Sequence, residues 1–350
     1  MSSAAVPALF QPILVGNIKL LHRVILAPQT RLRNSAEHVP TDLGLEFYSQ
    51  RASIPGTLLV TEATFIAPQA SGMPHAPGIW NDEQVAGWKR ITDAVHAKGS
   101  FIFSQLWALG RAARPDLLHK EYPDYPYVSS SPIPLSDRPQ DVPRELAKHE
   151  IQDYVGWYAT AAKNAIMAGF DGVEIHGANG YLIDQFLQDV SNKRTDAAVR
   201  SPTGRASRSS PWSRYQDMRE DDPVPTFTYL VNKLKEKHPD LAYIHVVAPG
   251  APGSEGPKDP SQVDFINGIW APRPLITCGG YDRESGLRVA ETGQIIGYAR
   301  AYTANPDLPF RLRENIALNE LDEGSLYIPL EAKGYTTYPF SKEFLQAQKK

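Results

Sequence analysis

The chain has little of what would mark a secreted or membrane-embedded protein. Its 350 residues include one cysteine, Cys278, which excludes an internal disulfide framework and is typical of a reducing compartment. No apolar run approaches the ~20 residues that a membrane-spanning helix needs. The N-terminus MSSAAVPALFQP has neither a basic nor an apolar leader region. We therefore expect a cytoplasmic protein with no membrane partner.

The chain also lacks a marked excess of charge of either sign. Its formal net charge is −3, and its lysines and arginines are scattered along the sequence. This distribution argues against a nucleic-acid partner and leaves a small neutral molecule as the expected ligand. No His-x-His pair ends the first predicted strand, which disfavours a metal-dependent barrel hydrolase, so we expect no metal site.

Short apolar segments are present instead, and amphipathic stretches separate them. They are VILAPQT (24–30), TLLVTEATF (57–65), FIFSQLW (101–107), GVEIHGA (172–178), AYIHVVAP (242–249), PLITCGG (274–280) and IIGYAR (295–300). Nearly continuous apolar and β-branched residues are typical of strands that helices cover on both faces. One such helix is predicted at residues 150–168, with an apolar stripe of Ile151, Tyr154, Val155, Tyr158, Ala162 and Ile166. This alternation predicts a parallel sheet.

The predicted strands end in polar or small residues rather than in further core residues. In a closed parallel barrel these carboxyl ends meet at one face, where the active site is assembled. An open doubly wound sheet is the alternative, but no Gly-x-Gly-x-x-Gly turn follows the first strand. We predict an α/β TIM barrel, with residues 1–350 as a single domain and 114–147 as a lid or hairpin insertion over the site.

The segment GVEIHGANGYLIDQFL (172–187) carries the strongest functional signal. Its apolar strand brings His176, Asn179 and Tyr181 together on one short loop. A lone histidine at a strand end is more often structural, but the neighbouring asparagine and tyrosine favour a site.

Small residues at the ends of the last two predicted strands indicate where a cofactor could bind. CGGY (278–281) and GYARAYTANPDL (297–308) combine glycines with one cation, Arg300. Barrels of this kind commonly hold a phosphate there, because backbone amides can approach it closely. The alternative is that these glycines form ordinary turns.

The chain resembles the Old Yellow Enzyme family of flavin-dependent ene-reductases in six sequence blocks, which occur in the same order as in that family. They are LFQPILVGNIKLLHRVILAPQTRLR (9–33), YSQRASIPGTLLVTEATFIAPQASG (48–72), FSQLWALGRAA (103–113), HGANGYLIDQFLQDVSNKRTD (176–196), GYARAYTANPDLPFRL (297–312) and GYTTYP (334–339). The resemblance implies FMN at the carboxyl face of the barrel, NADPH or NADH as hydride source, and reduction of the C=C bond of an enone or enal. A redox-neutral isomerase variant and a catalytically inactive barrel are the alternatives.

The resemblance also implies roles for individual residues. Those that would hold FMN are Pro28, Thr30, Ala63, Gln105, Gly279, Gly280, Ala299 and Arg300. His176 and Asn179 would donate hydrogen bonds to the substrate carbonyl oxygen, and Tyr181 would supply a proton. Trp107 and Tyr335 are candidates for the substrate pocket, or form only its wall. We interpret Cys278 as strand packing and His245 as structural.

One segment, AAVRSPTGRASRSSPWSRYQDM (197–218), departs from the resemblance. Relatives have there a YGGS turn, a long helix with a pattern like NRARFALE, and a fifth strand ending in an arginine. Moving each codon from Ala198 to Ser210 back by one nucleotide, with ordinary synonymous choices, yields GGS and NRARFALE. We therefore predict that residues 197–209 are a frame-shifted reading. The fourth helix and fifth strand would be deleted, the barrel would have open edges, and Arg208 would not be the family's flavin-binding arginine.

Overall fold

The computed structural model describes residues 5–196, 207–249 and 260–349. In this part of the chain the strands are β1 (Ile13–Val15), β2 (Ile18–Leu20), β3 (Val24–Leu26), β4 (Leu58–Phe65), β5 (Phe101–Trp107), β6 (Val128–Ser129), β7 (Arg144–Glu145), β8 (Gly172–His176), β9 (Ser207–Ser209), β10 (Ile244–Val247), β11 (Leu275–Cys278) and β12 (Ile295–Tyr298). The α-helices are α1 (Asp42–Arg51), α2 (Asp82–His96), α3 (Pro115–Glu121), α4 (Lys148–Met167), α5 (Leu182–Leu187), α6 (Val224–Lys237), α7 (Asp264–Trp270), α8 (Arg283–Ala290), α9 (Arg300–Ala304), α10 (Leu308–Glu314) and α11 (Lys342–Ala347).

Eight parallel strands form a closed barrel in the order β3, β4, β5, β8, β9, β10, β11 and β12. Each of the seven segments predicted from apolar runs contains one of these strands, so the predicted α/β barrel is confirmed. Side chains alternate between its interior and the surrounding helices. In β8, for example, Ile175 packs in the apolar layer outside the barrel, whereas Glu174 makes its contacts inside.

The prediction of a deleted fifth strand and an open barrel is wrong. Strand β9 (Ser207–Ser209) pairs in parallel with β8 on one side and with β10 on the other. Arg208 lies level with His176 and with His245 in these pairings, and it reaches into the barrel. The apolar pattern did not predict this strand, because it contains no apolar side chain. Backbone pairing on both edges holds it in place. The predicted loss of the fourth helix falls on residues 197–206, outside the described part of the chain.

Helix α4 begins and ends within two residues of its predicted bounds, and most of its predicted stripe packs against the barrel: Tyr154 is buried, and Ile151, Tyr158 and Ala162 are partly buried in the same layer. Tyr154, Ala161 and Ala165 are buried, whereas Val155 and Ile166 are 47% and 58% exposed. Ala161 and Ala165 lie beside the large residues of the stripe, so the buried face is the predicted one rotated toward these small residues, which let the helix lie close to the barrel.

The segment 114–147 contains α3 and the strand pair β6 and β7. Those two strands run parallel, so the segment is not a hairpin. Leu117, Leu135 and Ser136 of this segment line the cavity described below, and the segment therefore covers part of its mouth.

Helices surround the barrel in two apolar layers. One layer joins α1, α2 and α4 to the outer faces of β3, β4 and β5. The other joins α6 and α7 to β10 and β11 and includes the antiparallel hairpin of β1 and β2. Among the helices in the described residues, none is long and apolar enough to cross a membrane.

Candidate active site

A cavity of about 1170 Å³ lies at the carboxyl ends of the barrel strands. Most of the residues predicted for the site line it together: Pro28, Thr30, Ala63, Gln105, Trp107, His176, Asn179, Tyr181, Gly279, Gly280, Ala299 and Arg300. Arg208, Cys278, Tyr215 and Tyr327 also line it. The barrel thus brings together groups from distant parts of the chain.

Tyr335 is the one predicted pocket residue that lies elsewhere. Its ring is fully buried and stacks on Phe47, with 4.2 Å between ring centroids. The guanidinium of Arg31 lies 5.1 Å from the same ring. These contacts place Tyr335 in the core beside α1, so its prediction as a pocket residue is corrected. Tyr327 supplies an aromatic ring to the cavity instead.

His176 is held as a neutral hydrogen-bond donor. Its Nδ1 accepts the backbone N–H of Ala178 at 3.3 Å, so the imidazole proton lies on Nε2. Burial, together with the positive charges of Arg208 and His245, lowers the pKa of His176 well below its usual value. The ring is therefore uncharged at neutral pH and can donate from Nε2 without acting as an acid.

The loop after β8 is fixed by backbone hydrogen bonds. Asn179 has φ of 58°, in the left-handed region, and its N–H donates to Ser210 Oγ at 2.6 Å. The next N–H, of Gly180, donates to Asp184 Oδ2 at 2.8 Å. Asparagine and glycine are the residues that adopt such a turn most readily. The turn directs the following tyrosine back across the site.

Tyr181 stands against two rings of the cavity wall. Its ring meets the ring of Trp107 edge-on at 4.8 Å and that of His176 edge-on at 4.9 Å. Burial, reinforced by Tyr215 and Tyr327, raises the pKa of Tyr181. The phenol therefore keeps its proton through neutral and mildly alkaline pH and is available as a proton donor.

Glu174 fixes the orientation of Gln105 beneath the cavity. Its Oε1 accepts from Gln105 Nε2 at 2.6 Å, and its Oε2 accepts from Tyr243 Oη at 2.9 Å. A carboxylate only accepts hydrogen bonds, so the amide must present its nitrogen to Glu174. Gln105 Oε1 is left buried without a partner. A shift in register between Val60 and Ala63 sets Ala63 opposite Gln105, at the edge of the same site.

Cys278, His245 and Arg208 form a polar group at the cavity floor. His245 Nε2 lies 3.2 Å from Cys278 Sγ, and its Nδ1 lies 2.9 Å from Glu174 Oε2. Arg208 Nη2 lies 3.7 Å from the same sulfur. Burial favours the neutral forms of His245 and Cys278. Their mutual attraction, with Glu174 and Arg208, outweighs burial and moves the pKa of His245 up to about 9 and that of Cys278 down to about 7.

Glycines keep one end of the cavity open. A Cβ at Gly279 would lie 2.8 Å from the carbonyl oxygen of Ala248, and Gly280 has φ of 81°. Both positions therefore favour glycine, and the backbone there is exposed to the cavity. Arg300 lies at the same end, where its Nη1 donates to Glu323 Oε1 at 2.8 Å on the surface.

The loop after β9 covers the opposite side. Gln216 and Asp217 have φ of 59° and 56°, which is strained for residues other than glycine. The Asp217 carboxylate accepts from the backbone N–H and the hydroxyl of Ser136 at 2.5 and 2.7 Å. Arg111 Nη2 donates to the carbonyl oxygen of Gln216 at 3.0 Å. These contacts tie this loop to segment 114–147 across the cavity mouth.

The chemistry of this cavity fits a phosphorylated flavin. Gln105 Oε1, Trp107 Nε1 and Arg208 Nε are buried without hydrogen-bond partners, and all belong to residues that line the cavity. A flavin ring has an N–H and carbonyl oxygens along one edge. The N–H matches the acceptor Gln105 Oε1, and a carbonyl oxygen matches the cationic donor Arg208 Nε. The glycine-lined end with Arg300 fits a phosphate. No group of three or more potential metal ligands occurs among the described residues. Fold and site define a parallel α/β barrel of the flavoenzyme type.

The comparisons with known proteins agree with this class. The sequence profile of the NADH:flavin oxidoreductase / NADH oxidase family matches residues 8–207 and 202–319. The structure superposes on that of Old Yellow Enzyme from Pichia sp. AKU4542 with a TM-score of 0.85 and 34% identity, covering 96% of this chain and 94% of that one. The chain belongs to the Old Yellow Enzyme family.

Two fungal relatives cover nearly the whole chain. The chain is 46% identical to the chanoclavine-I aldehyde reductase fgaOx3 of Penicillium roqueforti (strain FM164), over 97% of this chain and 98% of that one. It is 41% identical to the probable inactive dehydrogenase easA of Claviceps purpurea (strain 20.1), over 96% of each. The first alignment spans 366 positions, more than the 350 residues present, so it must contain gaps in this chain. The family profile is also interrupted near residues 202–207.

Several site residues escaped the sequence analysis. Glu174 and His245 stand in strands made otherwise of apolar residues, and a charged or titratable side chain in a strand covered on both faces is itself a signal of an interior partner. Arg208 stands directly before Ser-Ser-Pro (209–211), as the family's arginine stands before a similar sequence, but its strand has no apolar pattern. The loop residues Tyr215 and Asp217 showed no signal in the sequence.

Proposed function

We propose that the chain is an FMN-dependent oxidoreductase that reduces the C=C bond of an α,β-unsaturated carbonyl compound with NAD(P)H. The observation that carries this proposal is the state of His176. It is a buried, neutral imidazole whose Nε2–H has no role in the fold and lies at the cavity wall beside Asn179 and Tyr181. Such a group serves to polarise a carbonyl oxygen.

In the proposed reaction, different groups act on the carbonyl oxygen and on the two C=C carbons of the substrate. FMN, when bound, supplies the hydride that reaches the β carbon of the substrate. His176 and Asn179 donate hydrogen bonds to the carbonyl oxygen and stabilise the negative charge that develops there. Tyr181, still protonated because its pKa is raised, delivers its proton to the α carbon. Trp107 orients Tyr181 through their edge-on ring contact.

The same proposal assigns residues to the cofactor. Gln105 Oε1 would accept from the flavin N–H, and Arg208 would donate to the adjoining carbonyl edge. Pro28, Thr30 and Ala63 would border the ring. The phosphate would lie at the open end formed by Gly279, Gly280, Ala299 and Arg300. Arg208 would therefore have the flavin-binding role that the frame-shift hypothesis excluded, because β9 places it level with His176.

The cavity suits an unsaturated aldehyde or ketone with an apolar body. Trp107, Tyr181, Tyr215 and Tyr327 provide aromatic walls, and Met73 and Leu117 add apolar surface. The relative from Penicillium roqueforti is named as a chanoclavine-I aldehyde reductase. We infer that the substrate of this chain is an enal or enone of more than minimal size.

An inactive barrel is the second candidate. It is favoured by the interrupted family profile and by relatives named as probably inactive. Closure of the barrel by β9 and the inward position of Arg208 favour the active form. A redox-neutral isomerase is a further variant of the family, but the presence of Tyr181 favours net reduction.

Purification of the full chain with FMN separates these candidates. The proposal expects a yellow protein that NADPH or NADH bleaches under anaerobic conditions and that 2-cyclohexen-1-one restores, with cyclohexanone as product. His176→Ala should lower kcat by about 10²–10³-fold. The exposed His149→Ala serves as matched control and should leave kcat unchanged. A colourless chain that cannot be reconstituted would establish the inactive barrel, and isomerised substrate without reduction would establish the isomerase.

A further inference from the structure

Cys278, His245 and Glu174 form a connected line of side chains inside the barrel. The sulfur of Cys278 lies 3.2 Å from His245 Nε2, and His245 Nδ1 lies 2.9 Å from Glu174 Oε2. Glu174 is itself held by Gln105 and Tyr243. This is the arrangement of a nucleophile, a base and a carboxylate that orients the base. None of the steps proposed above uses the sulfur.

The arrangement fixes where the protons lie. Tyr243 donates a hydrogen bond to Glu174. Burial raises the pKa of Glu174, but the attraction of His245 outweighs burial, so this pKa falls below its usual value and the carboxylate is ionised. An ionised carboxylate requires the proton of His245 on Nδ1, which leaves Nε2 to take the thiol proton. Arg208 adds a second positive charge, with Nη2 at 3.7 Å from the sulfur. These contacts stabilise a thiolate beside an imidazolium relative to the neutral pair.

Cys278 borders the cavity, with 6% of its surface exposed. Cys278 is a lining residue, and the following positions, Gly279 and Gly280, carry no side chain to cover it. Gly297 lies beside it, where a Cβ would come within 3.1 Å of the Cβ of Cys278. Arg208 Nε, buried and without a partner, lies in the same wall. A small molecule in the cavity could therefore contact both the sulfur and a free cationic donor.

We propose that Cys278 is a covalent modification site for α,β-unsaturated carbonyl compounds, open while the flavin position is vacant and covered once FMN is seated. The thiolate sulfur forms a bond to the β carbon, and the electron pair of the C=C bond moves toward the carbonyl. His245 returns the thiol proton to the α carbon. The net change is addition of S–H across the double bond, so no oxidant or reductant is needed. The covering by FMN and the choice of unsaturated carbonyl compounds rest on the proposed function, whereas the reactive thiol does not.

N-ethylmaleimide is a suitable probe, and its saturated analogue N-ethylsuccinimide is the matched control reagent. The full chain, with its flavin content measured, is treated at pH 6 with and without saturating FMN, and adducts are located by intact mass and peptide mapping. Cys278 is the sole cysteine, so Cys278→Ser gives the background from other nucleophiles. The FMN-free folded chain should form one adduct severalfold faster than the urea-unfolded chain, whose thiol is ordinary. His245→Asn should lose that advantage.

The outcomes separate the two proposals. Absence of a Cys278 adduct in the folded FMN-free chain, or formation no faster than in the unfolded chain, overturns the modification site. If His245→Asn does not fold, the pH profile replaces it: a rate that reaches its plateau by pH 8 supports the paired thiolate, and a rate still rising steeply above pH 8 overturns it. Protection of about tenfold or more by FMN supports the covering. Rapid modification with FMN bound overturns the covering and the cofactor placement, but leaves the reactive thiol.

Discussion

Glu174 decides which atom of Gln105 faces the cavity. Because the carboxylate takes the amide nitrogen at 2.6 Å, the amide oxygen remains free for a flavin N–H. Glu174→Gln would let the amide of residue 105 rotate and would also remove the partner of His245. We expect FMN to bind about tenfold more weakly, a loss of about 1.4 kcal/mol, as measured by quenching of flavin fluorescence. The exposed Glu83→Gln should bind FMN as the wild type does, and equal affinities for both variants would contradict this role.

Glu62 links stability to pH. Burial raises its pKa to about 7, although Arg31 N–H donates to its Oε2 at 3.1 Å. Because the pKa is raised on folding, the stabilisation is complete below the unfolded pKa and is lost as pH rises through 7. The free energy of unfolding should fall between pH 5 and 8 by on the order of 2 kcal/mol more in the wild type than in Glu62→Gln. Urea unfolding of both proteins at both pH values measures this difference, and parallel curves would refute it.

Residue roles could be predicted from the sequence where a side chain stands at the end of an apolar strand. His176, Asn179 and Tyr181 share one loop, so their proximity follows from the chain itself. Tyr335 failed because aromatic character does not distinguish a cavity wall from a core stack such as that on Phe47. The contact of His245 with Cys278 could not be predicted, because it depends on how neighbouring strands are staggered.

At the scale of elements, apolar runs predicted seven barrel strands and missed the eighth. An apolar run indicates a strand that is buried on both faces, whereas β9 is held by backbone pairing and by the inward side chain of Arg208. In helix α4 the periodicity predicted the helix and most of its packed face, but Val155 and Ile166 are exposed whereas Ala161 and Ala165 are buried. Pairing and close approach are tertiary effects, and neither leaves a hydrophobic pattern in the sequence.

Strand β9 offers a direct test of barrel closure. A central strand has partners on both edges, so proline at its end removes a backbone donor and is poorly tolerated. We expect Ser209→Pro to lower the free energy of unfolding by roughly 1–3 kcal/mol, the cost of leaving a buried backbone partner unsatisfied. Ser209→Ala keeps the backbone N–H and should cost much less. If urea unfolding shows equal effects for the two variants, β9 does not stabilise the barrel, and the prediction of an open-edged barrel would stand.

The described residues form a closed barrel, even though the alignment with fgaOx3 requires gaps in this chain. The interruption near residues 202–207 affects the connection between β8 and β10, and a polar strand occupies the remaining position. A barrel with a strand missing would expose unpaired edges, so even a short strand that pairs on both sides has a large effect. The frame-shift interpretation of residues 197–209 stays a prediction that the nucleotide sequence would test.

Ligand-linked stability tests whether the whole molecule retains a working cofactor site. A ligand at 100 times its Kd stabilises the folded state by about 2.7 kcal/mol, which raises Tm by several degrees in a protein of this size. FMN should raise Tm more than riboflavin at equal concentration, because only FMN carries the phosphate assigned to the glycine-lined end. Arg300→Gln should reduce the shift caused by FMN and leave the shift caused by riboflavin unchanged. Equal shifts for both ligands in the wild type would place the phosphate outside this end of the cavity, and no shift for either would mean that the closed barrel has lost its flavin site.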